Sequence, residues 1–200
     1  MSDHYYSPQP ASKNEHREFQ ASLLGHTLTF ITDAGVFSKK GVDFGSRLLI
    51  ETAEIGNAST VLDLGCGYGP IGIAVAVRYP QAHVVMVDIN ERAVHLAAEN
   101  ARRNGLGNRV EVVRSDGFAE IANRKFDRIL FNPPIRVGKA AVYRLFAEAK
   151  EHLNPGGSLW VVIRKQQGAA SARAELERLY PSVNLARQKK GYWILEAVSD

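Results

Sequence analysis

The chain has 200 residues, of which 45% are hydrophobic and 23% charged, proportions typical of a soluble globular protein with one substantial core. Its single cysteine, Cys66, excludes an internal disulfide and a cysteine-rich metal site, so we expect no bound metal and a reducing, cytoplasmic location. No apolar run reaches the length of a membrane span, and the formal net charge of +4 is compatible with a nucleic-acid partner without requiring one.

The first part of the chain is predicted to carry a short β-rich extension. Residues 1–18 are polar and are expected to form a flexible tail, whereas residues 19–200 are expected to form a single domain. The pattern of residues 19–33 predicts two short strands around Gly25-His26.

Helical and strand patterns alternate over the rest of the chain. Short runs rich in Val, Ile and Leu predict strands at residues 59–64, 82–88, 108–116, 126–131 and 158–165. Helical patterns cover residues 42–56, 70–79, 91–105, 140–157 and 170–181, the fourth of them ending in Asn-Pro-Gly-Gly. Residues 183–198 predict two strands joined at Lys190-Gly191. We therefore predict an α/β fold with a doubly wound, mostly parallel sheet and a C-terminal antiparallel hairpin.

The first strand of this series leads into a glycine-rich turn, VLDLGCGYGPIG. Residues 67–72 match the GxGxxG pattern of dinucleotide-binding loops, but Asp63 at the strand end would repel a pyrophosphate bound at the helix N-terminus. This carboxylate suits a ligand that carries positive charge instead. A strand-to-helix turn that binds nothing is the alternative.

Two more acidic residues follow the next strands. Asp88 comes about 20 residues after the glycine-rich turn, the spacing at which an acidic side chain reaches a ribose diol. The alternative for Asp88 is a helix N-cap, a role for which Asn90 is better placed. At Asp116-Gly117, a plain Asp-Gly turn competes with a ligand contact.

Several of these segments resemble a known family. The glycine-rich turn closely resembles motif I of the class I S-adenosylmethionine (SAM) methyltransferases, D-x-G-x-G-x-G. The run Asn132-Pro133-Pro134-Ile135 resembles the motif of members that methylate planar nitrogen, in which Asp, Asn or Ser precedes two prolines and an aromatic or apolar residue. Residues 32–51 resemble the stretch before motif I in the ribosomal-RNA small-subunit guanine-N2 methyltransferases (the C group) and their single-domain relatives.

This resemblance implies a seven-stranded, Rossmann-like methyltransferase sheet and SAM as the cofactor. The cofactor-binding residues that it implies are Phe37, Ser38, Asp63, Gly65, Cys66, Gly67, Gly69, Asp88, Ile89, Asp116, Gly117 and Asn132. Asp63 is expected to hold the methionyl ammonium, directly or through water, Asp88 the ribose and Asp116 the adenine amino group. Cys66 is expected to be a small neighbour of the cofactor, since no histidine partner for a nucleophile is evident.

The turn formed by Asn132, Pro133, Pro134 and Ile135 is expected to be catalytic, with a simple loop terminator as the alternative. An exocyclic amine on a base has a delocalised lone pair and is a poor nucleophile. The Asn132 side-chain oxygen and the Pro133 carbonyl can accept its two hydrogens and direct the lone pair, while the prolines keep both acceptors rigid. Ile135 cannot stack on a base as an aromatic residue does, which disfavours DNA adenine and protein glutamine as acceptors.

We therefore expect a SAM-dependent N-methyltransferase that acts on a guanine N2 amine in small-subunit ribosomal RNA. Arg136, Lys139 and Lys165 are expected to contact phosphates. The expected partner is RNA, naked or in a ribosomal particle, with no membrane and with a homodimer as one route to targeting. Two alternatives stay open: the same chemistry on protein glutamine, DNA adenine or a small molecule, and a NAD-binding oxidoreductase.

Overall fold

The computed structural model describes residues 17–33 and 41–200, which form two sheets and five α-helices. The elements in chain order are β1 (Arg17–Leu23), β2 (His26–Thr32), α1 (Phe44–Thr52), β3 (Thr60–Leu64), α2 (Pro70–Arg78), β4 (His83–Asp88), α3 (Glu91–Arg103), β5 (Val110–Arg114), β6 (Phe126–Phe131), α4 (Lys139–Glu151), β7 (Leu153–Arg164), α5 (Ala169–Leu179), β8 (Ser182–Lys189) and β9 (Tyr192–Val198). Within those two ranges, none of the helices has the length and apolar composition that a membrane-spanning helix requires.

The larger sheet has the strand order β5-β4-β3-β6-β7-β9-β8. Neighbouring strands from β5 to β7 pair in parallel, and β9 pairs antiparallel with both β7 and β8. This arrangement confirms the predicted doubly wound fold with its C-terminal hairpin. The chain leaves β3 for β4 and β5 on one side and returns to β6 on the other, so the strand order reverses between β3 and β6. Open α/β sheets bind ligands at such a point.

Helices cover both faces of this sheet and bury two apolar clusters. The N-terminal hairpin packs with α1, α2 and α3 on one face, whereas α4 and α5 cover the other, where Phe146 is fully buried. Side chains of β3 alternate between these layers, with Val61 in the first cluster and Leu62 and Leu64 in the second. The same alternation directs Asp63 toward α2, and this placement decides what its carboxylate can contact.

Two side-chain amides on α3 join the N-terminal hairpin to the rest of the fold. The Asn100 amide accepts from the Ile31 N–H at 2.7 Å and donates to the Ile31 carbonyl at 2.9 Å. Asn104 makes the same pair of bonds with Thr29, at 3.1 and 2.9 Å. The two amides thus pair with the edge of β2 as a neighbouring strand would, which satisfies backbone groups that an edge strand leaves open.

Both hairpins use the same turn conformation. Leu24 and Gly25 have φ angles of 49° and 81°, and Lys190 and Gly191 have φ angles of 47° and 77°. Two consecutive positive φ angles match the twist of antiparallel strands, and glycine takes the second position at little cost. The C-terminal turn lies where predicted. The N-terminal turn lies one residue earlier than predicted, because Gly25 is its second residue and His26 already belongs to β2.

The strand β7 also begins earlier than predicted. The helix α4 ends at Glu151 and β7 starts at Leu153, so the Asn-Pro-Gly-Gly run lies inside a strand rather than at the end of a helix. The pairing with β6 shifts register over this run, as a bulge does. A Cβ atom at Gly157 would lie 2.8 Å from the Asn154 carbonyl oxygen, so the bulge requires glycine there.

Candidate active site

The turns at the carboxyl ends of the parallel strands, with the start of α1 and of β9, enclose a cavity of about 630 Å³. This volume is usual for a small-molecule site. Of the residues predicted to bind cofactor or to act in catalysis, those that line this cavity are Gly65, Cys66, Gly67, Asp88, Ile89, Asp116, Gly117, Asn132, Pro133 and Pro134.

The remaining predicted residues fall into two groups. Asp63 and Gly69 lie behind the cavity wall rather than in it. Phe37 and Ser38 lie outside the residues that the structure describes. The same holds for the side chain of Ile135, whose backbone begins a short 3-10 turn after β6.

At Gly65 and Gly67 the glycine-rich turn brings backbone without a side chain to the cavity. Gly65, Gly67 and Gly69 have φ angles of 70°, 57° and 95°, a region that favours glycine, and α2 starts directly after them. The Cys66 N–H donates to the Val87 carbonyl at 2.9 Å, which fixes the turn to the end of β4. The turn is therefore held by the sheet on one side and by the helix on the other.

Asp63 is fully buried beneath the N-terminus of α2. Its Oδ2 accepts from the Gly72 N–H at 2.8 Å, and its Oδ1 has no hydrogen-bond partner among the residues that the structure describes. Burial raises the pKa of Asp63 to about 7; the bond from Gly72 opposes this rise and the charge of Asp88 adds to it. Asp63 thus contacts the first turn of the helix from behind the glycine-rich turn.

Asp88 lies on the cavity wall and ties the glycine-rich turn to β4. Its Oδ2 accepts from the Gly67 N–H at 2.9 Å and its Oδ1 from the Asn90 N–H at 2.8 Å. Burial raises the pKa of Asp88, although these backbone donors oppose the rise. The Asn90 side chain accepts from the Arg92 N–H at 3.0 Å and caps α3, which confirms the predicted N-cap.

The Cys66 thiol is buried next to these carboxylates. Its sulfur lies 3.4 Å from the Gly67 carbonyl oxygen. Burial raises the pKa of Cys66, and the charges of Asp88 and Asp63 raise it further. A thiol that resists ionisation is a poor nucleophile, so Cys66 contributes volume rather than reactivity.

Asp116 is the exposed carboxylate of the cavity and pairs with a residue that the sequence analysis missed. Arg144 on α4 approaches Asp116 Oδ1 at 3.1 Å and also pairs with Glu148 at 2.9 Å. Gly117 faces the same helix, because a Cβ atom there would lie 2.6 Å from the Leu145 Cδ2 atom. The φ angle of 57° at Gly117 favours glycine at this position, whatever else the position does.

The Asn132 side chain is oriented by α1. Its Nδ2 donates to the Ser46 Oγ at 3.0 Å, and the Ser46 N–H donates to Asp43 Oδ1, which caps α1, at 3.0 Å. This bond engages the amide nitrogen, and both Asn132 and Pro133 line the cavity. Ser46 was not predicted; the only sequence signal for it was the N-cap residue Asp43 three positions earlier.

Other lining residues were also absent from the sequence analysis. They include Phe44, Arg144, Arg164, Gln167 and Tyr192. Of the three basic residues expected to contact phosphates, Arg136 lines the cavity, whereas Lys139 and Lys165 are exposed outside its lining.

Comparison with known proteins identifies the family of the chain. The chain matches the family model of the methyltransferase small domain over residues 27–196. It is 47% identical to the uncharacterized protein YbxB of Bacillus subtilis, over 98% of both chains. It is 41% identical, over 75% of its length, to ribosomal RNA small subunit methyltransferase C of Haemophilus influenzae, and 37% identical, over 95% of its length, to ribosomal RNA large subunit methyltransferase G of Pseudomonas aeruginosa. The match covers 46% and 50% of those two proteins, so the chain spans about half their length.

Two solved structures resemble the fold. The 16S rRNA N2 G1207 methyltransferase RsmC of T. thermophilus, in complex with AdoMet and guanosine, has a TM-score of 0.84 and 28% identity, over 96% of this chain and 52% of that chain. A methyltransferase from Pyrococcus furiosus has a TM-score of 0.68 and 24% identity, over 82% of this chain and 89% of that chain. The second likeness concerns the fold alone.

Proposed function

The chain belongs to the methyltransferase small domain family and is a SAM-dependent methyltransferase, and from this premise we propose that it methylates the exocyclic N2 amine of a guanine in small-subunit ribosomal RNA. Two relatives are named as ribosomal RNA methyltransferases, one for each subunit. The similar T. thermophilus enzyme is named for the N2 position and was solved with guanosine. The family excludes the oxidoreductase alternative.

The residues around the cavity fit SAM, which supplies an electrophilic methyl group. Asp88, at the end of β4, would bind the ribose hydroxyls, and Asp116 the adenine amino group. The buried Asp63 Oδ1, which has no hydrogen-bond partner within residues 17–33 and 41–200, supports the water-mediated form of its contact with the methionyl ammonium. We assign Gly65, Gly67 and the neighbouring backbone to close contact with the cofactor.

The hydrogen bond from Asn132 Nδ2 to Ser46 Oγ, at 3.0 Å, is the observation that carries the proposal. With its nitrogen bonded to Ser46 Oγ, the Asn132 amide has its oxygen left to accept from a ligand. A substrate amine needs acceptors. The Pro133 carbonyl supplies a second one, and the two consecutive prolines hold both in place.

Acceptance of both amine hydrogens by Asn132 Oδ1 and the Pro133 carbonyl turns the nitrogen lone pair out of the base plane. The turn thus increases the nucleophilicity of the amine through position rather than through a general base. A methylated amine loses its extra proton readily, so these residues need not be strong bases. A guanine in an RNA helix must be unstacked before it reaches the cavity.

Replacement of Asn132 by alanine tests this assignment. Asn132→Ala should lower turnover by about 10²- to 10³-fold, the usual cost of one positioned polar group at a reacting centre. Its affinity for SAM, measured by calorimetry, should change far less. The matched control is Asn184→Ala, at an exposed asparagine on β8. Turnover of Asn132→Ala close to that of Asn184→Ala would contradict the role.

The acceptor is tested by mass spectrometry of ribosomal RNA from cells that lack the protein. Loss of one N2-methylguanosine from small-subunit RNA, restored by the wild-type gene and not by Asn132→Ala, is the expected result. Loss of the modification from large-subunit RNA would show that the substrate is large-subunit RNA instead. An unchanged nucleoside profile in both subunits would contradict ribosomal RNA as the acceptor and favour another acceptor.

A further inference from the structure

Two aromatic rings and two cations form a cluster at the mouth of the cavity. The rings of Phe44 and Tyr192 have centroids 5.4 Å apart at an angle of 49°. The Arg164 guanidinium carbon lies 4.8 Å from the Tyr192 ring centroid, and the Lys190 ammonium lies 5.2 Å from the Phe44 centroid. We call these four side chains the mouth cluster. Three of them, all except Lys190, line the cavity itself.

The backbone around the mouth cluster holds it in place. Arg164 and Tyr192 are cross-strand partners in β7 and β9, so their side chains lie side by side on one face of the sheet. A Cβ atom at Gly45 would lie 3.0 Å from the Tyr192 ring, which shows that the ring rests on the start of α1. The cluster therefore joins three elements that are distant in sequence, and one of them also carries Ser46, the partner of Asn132.

The two cations of the mouth cluster lie over aromatic rings. Arginines elsewhere, such as Arg103 and Arg124, pair with glutamates at 2.9 and 2.6 Å. Within residues 17–33 and 41–200, Arg164 and Lys190 contact no carboxylate; both are exposed and lie over rings instead. Exposed cations without carboxylate partners, next to partly exposed rings, are suited to a ligand that offers both a phosphate and a planar base.

We propose that the mouth cluster binds an unpaired nucleotide adjacent to the target guanine, with its base stacked on Tyr192 and Arg164 and its phosphate bound by Lys190. This inference rests on the proposed function. Unpaired RNA bases stack on aromatic rings and on guanidinium planes, and such stacking tolerates any base. The proposed catalytic turn has isoleucine at position 135, a position at which the motif also allows an aromatic residue. The mouth cluster supplies ring surface that the turn lacks.

Binding of a short, labelled single-stranded RNA, measured by fluorescence anisotropy on the full chain with SAM present, tests the proposal. Tyr192→Leu keeps apolar volume and removes the ring, and should weaken binding roughly 5- to 30-fold, whereas Tyr192→Phe should bind as the wild type does. Lys190→Gln should reduce the slope of log affinity against log salt by about 0.7, the contribution of one phosphate contact on a single strand. Arg164→Gln should weaken binding in the same direction as Tyr192→Leu.

The control for charge is Lys125→Gln, an exposed lysine that precedes β6 at the opposite ends of the strands. The thermal unfolding midpoint should stay close to that of the wild type in all variants and reports that each one folds. The KM for RNA should rise more than kcat falls in Tyr192→Leu. The proposed role of the mouth cluster would be overturned if its three variants bound RNA as tightly as Lys125→Gln does. The three variants are Tyr192→Leu, Arg164→Gln and Lys190→Gln. That result would leave the proposed function intact. A wild-type protein that neither binds nor methylates RNA would overturn both.

Discussion

Asp63 matches the motif of the glycine-rich turn, but the motif does not predict that its side chain lies behind the cavity wall. Its spacing from the glycines predicts a carboxylate beside the ligand. Pleating of β3 turns the side chain toward α2, where it accepts from the Gly72 N–H at 2.8 Å behind the cavity wall. A contact with the cofactor through water, which keeps Oδ1 hydrogen-bonded, is therefore the form of the predicted role that we propose.

The substitution Asp63→Asn should flatten the pH dependence of stability. Burial raises the pKa of Asp63 from 3.8 to about 7, so the native protein keeps a proton that the unfolded chain releases in this interval. The free energy of unfolding of the wild type should therefore fall as pH rises from about 4 to about 7. Asparagine cannot ionise and avoids this loss, whereas Asp88, whose pKa is also raised, acts in the same direction in both proteins.

Urea unfolding of both proteins across this pH interval measures the effect. The wild type should lose stability relative to Asp63→Asn as pH rises, and the difference should level off above the folded pKa. Parallel pH profiles of the two proteins would show that the Asp63 carboxyl group is not buried as described.

At the scale of elements, α3 is hydrogen-bonded to both the glycine-rich turn and the N-terminal hairpin. Besides its two bonds to Ile31, the Asn100 amide donates to the Tyr68 carbonyl at 2.9 Å, and Tyr68 belongs to the glycine-rich turn. One fully buried side chain therefore links the edge of β2 to the cofactor side of the molecule. Asn104 contacts β2 in the same way but does not reach that turn.

This difference makes Asn100 and Asn104 a matched pair. Both Asn100→Ala and Asn104→Ala should lower the free energy of unfolding, Asn100→Ala by about 1–3 kcal/mol because it leaves buried backbone groups without partners. Only Asn100→Ala should also weaken SAM binding, since it alone removes a hydrogen bond to the Tyr68 carbonyl. Thermal unfolding and calorimetry with SAM separate the two effects, and equal SAM affinities in the two variants would refute the link.

At the scale of the whole molecule, Asp127 joins three strands at the end of the sheet opposite the cavity. Its Oδ2 accepts from the Ser59 and Thr60 N–H groups at 2.9 and 3.0 Å, and its Oδ1 accepts from Asn154 at 2.8 Å. Burial opposes ionisation of Asp127, but these donors outweigh it and lower its pKa to about 2. The carboxylate thus connects the starts of β3, β6 and β7.

Stability should therefore depend on Asp127 in acid. Because the folded pKa is below that of the unfolded chain, the stabilisation is complete above about pH 4 and is lost as pH falls toward about 2. Asp127→Ala should be less stable than the wild type by about 1–3 kcal/mol at neutral pH and should show a smaller decrease in acid. Chemical unfolding at neutral and acid pH measures both; the same acid decrease in the two proteins would exclude this role.

Much of the architecture was predictable because it depends on local spacing. Apolar runs of strand length, separated by helical patterns, predicted the doubly wound sheet, and the fold is confirmed. The differences lie where local signals compete: Asn-Pro-Gly-Gly predicted the end of a helix, but the chain uses it as a bulge in β7, where Asn154 reaches Asp127. The site was predicted where strands end in Asp or Asn, because parallel strands place their carboxyl ends at one edge.

The amino-acid order alone was enough to specify the class of fold, the edge of the sheet that holds the site and the turn at Asn132, because each follows from neighbours along the chain. Tertiary packing decided which atoms face the cavity. The Asn132 amide is oriented by Ser46, on a helix far away in sequence, whose Oγ accepts from the amide nitrogen at 3.0 Å. The mouth cluster exists because α1, β7 and β9 meet there. Contacts between distant segments leave no periodic trace in a sequence, so only the folded chain reveals them.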